Sequence, residues 1–123
     1  MYVLSGGAAA SVVNGVKAQF EQATGSTIQG TFSAVGVMRE KLVAGAPCDL
    51  VILTQPLIAQ LVASGHVVAG SARSLGRVKT GVAVRTGEAH PVIRSRSDLA
   101  AALQAARGIY FPDPDKATAG IHF

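Results

Sequence analysis

Three short stretches carry residue types that could hold an anion: Ser5-Gly6-Gly7-Ala8, Ser33-Ala34-Val35-Gly36 and Ala117-Thr118-Ala119-Gly120. Each sets small or hydroxyl side chains where a strand is expected to turn into a helix. The first N–H groups of a helix have no partner within it, and the helix dipole is positive there. Small side chains then let an anion approach that end. In a parallel sheet such turns gather at the carboxyl ends of the strands, where ligands usually bind. Small residues also serve turn geometry alone, so the pattern is read beside that plainer account. The glycine pair is not a dinucleotide fingerprint, because no G-x-G-x-x-G is present, and no Gly-Lys-Ser/Thr marks a phosphate loop.

Enzyme constellations are thin. His66, His90 and His122 lack metal-ligand spacing and read as surface or loop residues. Cys48, beside Pro47 at a strand entrance, reads as a small packed residue rather than a nucleophile. Ser5, Ser11 and Ser33 have no G-x-S-x-G elbow around them. Asp49, heading an apolar strand, is expected to accept from nearby backbone N–H groups. Asp113 and Asp115 could suggest a cation site, but a polar turn accounts for them more simply. No nucleophile–base pair can be assembled from spacing, so the reading is a non-enzyme with no metal and no cofactor.

These residues sit in a 123-residue chain that is 49% hydrophobic and 15% charged, enough for one compact core and unlike a disordered tract. The net charge is +4, and aromatics are only 5% with no tryptophan, which offers little stacking surface for nucleic acid. A basic balance suits an anionic ligand or partner, and also simply keeps a protein soluble. One cysteine excludes an internal disulfide. No apolar run approaches the ~20 residues that span a membrane. Met1 is followed at once by strand-like Tyr2-Val3-Leu4, so no leader is expected in this sequence. A cytoplasmic protein and one whose leader was removed both fit.

The elements that must position the turns alternate strand and helix, which argues for a parallel α/β sheet. Tyr2 to Leu4 reads as a strand. A helix is expected from Ala8 to about Ala23, with Val12, Val13, Val16 and Phe20 inward and Gly25 as its stop. Thr27 to Phe32 reads as the second strand. The following helix has Val35, Met38 and Leu42 inside and closes at Gly45. Asp49 to Leu53 is a continuous apolar strand of the kind buried on both faces. Thr54 caps a helix with Pro56 in its first turn, and Gly65 ends it. Residues 66 to 76 read as a surface connection, Val78 to Arg85 as a strand, and Ser97-Asp98 as the start of a helix. Ile109 to Phe111 reads as a further strand, and Thr118-Ala119-Gly120 as the opening of a helix cut short at Phe123.

Taken in order, the motifs resemble those of a known family. Gly45-Ala46-Pro47-Cys48-Asp49-Leu50 resembles the G-x-P-A-D-hydrophobic signature of the molybdate-binding proteins of ABC importers, which are type 2 periplasmic solute-binding proteins. Phe111-Pro112-Asp113-Pro114 through Ala119-Gly120 is similar to the family's Gly-Asp-Pro…Pro-Ala-Gly segment. The resemblance runs from Val3 to Phe123. It implies a three-layer α/β lobe over residues 1–86, with Val78 to Arg85 leading to the hinge, and an incomplete second lobe over 87–123. It implies an oxyanion held by helix N-termini and hydroxyls, without metal or covalent chemistry. Thr54 falls where the family supplies a backbone contact, and so does Ala119. Ala8 and Val35 stand where the family places serines, and Ser5 and Ser33 are the nearest hydroxyls.

The function expected is therefore non-catalytic binding of a small anionic solute, with an ABC transporter permease as the implied partner. Two other readings stay open. One is a self-associating module in which two copies exchange residues 87–123. The other is a cytosolic ligand sensor.

Overall fold

A computed structural model describes residues 1–122 of the chain. They divide into two compact units: Met1–Val78 together with the segment from Pro112, and Lys79–Phe111.

The first unit is built on β1 (Tyr2–Gly6), β2 (Gln29–Ser33) and β3 (Leu50–Ile52), a parallel sheet in the order β2-β1-β3. Its helices are α1 (Ala10–Thr24), α2 (Val35–Val43) and α3 (Gln55–Ala63). This is the expected α/β class. Parallel neighbours need a crossover, and α1 and α2 supply the two crossovers. β1 is central and buried from Val3 to Gly6, whereas β2 is mostly exposed. Alternation along β1 puts Val3 and Ser5 on one face and Leu4 and Gly6 on the other. Val3 packs with Val13 of α1 and with Ile28, flanked by Phe20, Phe32 and Ile52. On the opposite face Gly6 meets Val35 of α2. Helices thus cover both faces of the sheet.

Helix stops follow the glycines. Gly25 adopts φ 68° and donates its N–H to the Glu21 carbonyl at 2.9 Å. Gly45, at φ 84°, donates to the Leu42 carbonyl at 3.0 Å while Ala46 returns to Lys41, a closure that needs the left-handed region. α3 begins after Thr54 with proline in its first turn, and residues 66–76 form a connection without helix or strand, both as expected.

Several expectations fail. The first helix does not start at Ala8: Gly7–Ala9 form a turn of 3-10 helix, and α1 starts at Ala10. Val12 and Val16 are 60% and 50% exposed, yet they line one apolar groove with Val13, Phe20, Leu50 and Ile52, so the expected inward face of α1 is only partly covered. β3 is not buried on both faces. Among the described residues it is an edge strand paired to β1, with Leu50 exposed and Val51 and Ile52 half-buried. Val78 to Arg85 and Ile109 to Phe111 form no strand. A strand exists only where two backbones pair in a ladder, and strand composition alone does not form one.

The second unit holds one helix, α4 (Arg96–Ala105), which starts slightly before the expected Ser97. Ser95 caps it, accepting from the Asp98 N–H at 3.1 Å, and Asp98 answers by accepting from the Arg94 N–H at 3.0 Å. This reciprocal pattern is a capping box. No helix among the described residues is long and apolar enough to cross a membrane.

Candidate functional site

The candidate residues collect at the carboxyl end of the three strands. Pairing sets Gly6 beside Ser33 and Ser5 beside both Phe32 and Ile52. A methyl group on Gly6 would stand 2.7 Å from Val35 Cγ1 and 3.8 Å from the Ile52 carbonyl, and one on Gly7 would stand 3.9 Å from the Ser33 carbonyl. The ends of β1, β2 and β3 and the start of α2 therefore touch. Ser5 is fully buried and its hydroxyl donates to the Gly6 carbonyl at 2.9 Å, while Gly7 and Ala8 lie exposed in the 3-10 turn.

Ala34, not Ser33, is the residue before α2, and its carbonyl accepts from the Met38 N–H at 3.1 Å. Val35 is buried against Gly6. Gly36 donates its N–H to the Lys116 carbonyl at 3.1 Å, and a methyl group on it would stand 3.2 Å from Lys116 Cα. Thr54 heads α3, its carbonyl accepting from the Ile58 N–H at 3.0 Å, and its hydroxyl makes no cap.

The segment from Pro112 belongs to the same unit. Asp113 Oδ1 accepts from the Asp115 and Lys116 N–H groups at 2.8 and 3.1 Å, which makes it the organiser of a polar turn. α5 (Thr118–His122) follows, with Thr118 and Ala119 half-buried and Gly120 pressed against the Pro112 and Asp113 carbonyls. The segment reaches the end of the sheet through Lys116, a residue with no sequence signal to mark it, because it acts through its carbonyl.

α1, α2 and α3 share an electrostatic feature. None has an acidic residue in its first turn, and none is capped by a side chain. α4, in the other unit, has both. Helix starts usually acquire a capping side chain or an acid because their N–H groups need acceptors. Three starts at one end of one sheet thus lack both, although at α2 the Lys116 carbonyl already accepts the Gly36 N–H.

The other singled-out residues take structural places. Asp49 Oδ2 accepts from the Tyr2 N–H at 2.7 Å, as expected of a carboxylate at a strand head. Cys48 is half-buried. Burial is the main cause that pushes its thiol pKa up, and the thiol donates to the Leu50 carbonyl at 3.3 Å. His66 Nδ1 sits 2.9 Å from the Ser64 hydroxyl on the surface. No group of three or more metal-binding side chains occurs among the described residues. His122 as a side chain, and Phe123, lie outside what the structure describes.

No curated protein matches the sequence. The family of bacterial extracellular solute-binding proteins matches it over residues 1–123, the whole chain. The parallel sheet flanked by helices fits part of a lobe of such a protein, and the chain belongs to the bacterial extracellular solute-binding protein family.

Proposed function

We propose that this chain binds a small anionic solute, without catalysis, for an ABC-type importer. The observation that carries the reading is the trio of helix starts at the carboxyl edge of one sheet, each without an acid or a side-chain cap. In this reading residues 1–86 belong to lobe one and 87–123 begin lobe two. The ligand lies near Ser5 to Ala8, Ser33 to Gly36, Thr54 and Thr118 to Gly120. Backbone N–H groups other than that of Gly36 supply most donors, with the Thr54 hydroxyl beside them, since Ser5 spends its hydroxyl on Gly6 and Val35 carries none. A site of N–H donors favours a compact anion but reads its shape less strictly than one lined with hydroxyls. Small carboxylates are therefore ranked beside molybdate, tungstate, sulfate and phosphate.

A thermal-shift screen of the chain against those anions tests the reading. A ligand at ~100 times its Kd adds about 2.7 kcal/mol, several degrees in Tm for a domain of this size. A saturable shift with one class of anion supports the proposal and names its solute. Cooperative melting that no anion moves would defeat it.

A further inference from the structure

The segment from Pro112 brings an acceptor of its own to the start of α2. The Lys116 carbonyl accepts the Gly36 N–H at 3.1 Å, so a donor at the candidate site is already engaged. The approach is close. A methyl group on Gly36 would stand 3.2 Å from Lys116 Cα and 3.4 Å from its carbonyl oxygen, so the lack of a side chain at residue 36 admits the segment.

The segment is also braced within itself, and Asp113 holds both peptide groups that flank Lys116. Its carboxylate accepts the Lys116 N–H at 3.1 Å, as well as that of Asp115, and its carbonyl accepts the Ala117 N–H at 3.0 Å. Ile121 donates to the Ala117 carbonyl at 2.9 Å, and Gly120 closes the turn against the Pro112 and Asp113 carbonyls. Among the described residues, the hydrogen bond from Gly36 is the one that ties this turn to the sheet and helices of Met1–Val78. A body that is stiff within itself and has one polar tether can lift as a piece.

We propose, resting on the anion-binding reading above, that the turn from Asp113 to Lys116 is an inhibitory strap. Its Lys116 carbonyl stands in for a solute oxygen at Gly36, and the two exclude each other. With the strap down, a solute meets the other donors only. Once it lifts, Gly36 joins them. The apparent affinity is then the open-state affinity scaled by the fraction of molecules whose strap is up. Asp113 aims the Lys116 carbonyl and so sets that fraction.

The test follows Gly36 amide exchange by NMR in the whole chain and titrates the chain with molybdate and, separately, with acetate. Two single variants stand beside it. Asp113→Ala unhooks the turn, whereas Asp115→Ala removes the same charge and keeps the backbone N–H that Asp113 holds. In Asp113→Ala the Gly36 amide should exchange at least ~10-fold faster, and the bound probe should be held at least ~3-fold more tightly. Asp115→Ala should leave Gly36 exchange as it is and affinity within about twofold. Unchanged Gly36 exchange in Asp113→Ala would overturn the strap. So would weaker binding by that variant, which would make the turn part of the grip, and equal tightening in both variants, which would be an effect of charge. A Gly36 amide freed in Asp113→Ala, with neither probe bound by any of the three chains, would overturn the competition together with the anion-binding reading. The freed amide distinguishes that case from a strap that never latched.

Discussion

Lys17 and Glu21 show how single side chains hold the start of β2. Ile28 is 5% exposed, and both of its backbone groups are taken from α1. The Lys17 ammonium donates to its carbonyl at 2.7 Å, and Glu21 Oε1 accepts its N–H at 2.8 Å, with the two side chains 3.4 Å apart. The Ile28 N–H is the main reason the Glu21 carboxyl is held below its ordinary value of 4.5, and the Lys17 charge adds to it. A lowered carboxylate pKa makes the unfolded chain bind more protons near that range. Stability is therefore fully present above about pH 4.5 and is lost as pH falls through the depressed folded value. Melting from about pH 6 to about pH 3 should show Tm falling in this window. Glu21→Gln should start lower at neutral pH and fall less steeply.

At the scale of elements, α2 matters most for the candidate site. It begins beside Gly6, and its Met38 has no exposure at all. Met38→Ala should cost about 2–5 kcal/mol in chemical denaturation, through lost burial and an unfilled cavity. Met38→Leu, which keeps the volume, should cost less than about 1.5 kcal/mol. α1, α2, α3 and the first three strands were legible in the sequence because local signals specify them: apolar spacing, Gly25, Gly45 and Gly65 as stops, and Pro56 in a first turn. Val78 to Arg85 and Ile109 to Phe111 have equally good strand composition and form none. Pairing is not local, and a sequence pattern names a willing strand without naming its partner. The same limit applies at the site. The strand-to-helix turns could be read from residue types, whereas the Lys116 carbonyl on Gly36 N–H could not, because any residue offers a carbonyl.

The molecule is uneven in how firmly it is held. Among the described residues the buried apolar side chains of the core are Val3, Leu4, Val13, Ile28, Val35, Met38 and Leu61, all within the first unit. No helix or strand occurs between Ala63 and Arg96, where Arg73, Arg77, Lys79, Arg85 and Arg94 lie exposed. Regions with few buried contacts open at little free-energy cost. Brief trypsin treatment of dilute protein should cut first at these five sites and leave a resistant fragment beginning at Met1, read by mass spectrometry. Early cuts at Lys17 or Lys41 would show instead that the sheet and its helices open as readily as the connection.

The central place of β1 also governs the order in which this chain can be made. Tyr2 must wait for Gln29 and Val3 for Leu50, so β1 is made before either of the strands that enclose it. Until residue 52 has emerged, a nascent chain exposes its most buried strand. The crossover through α1 to β2 can shelter one side early, but the second side depends on the more distant β3. Distant pairing is slow because the loop must close before its contacts reward it. Synthesis that pauses between β2 and β3 should therefore leave the nascent chain needing a chaperone most.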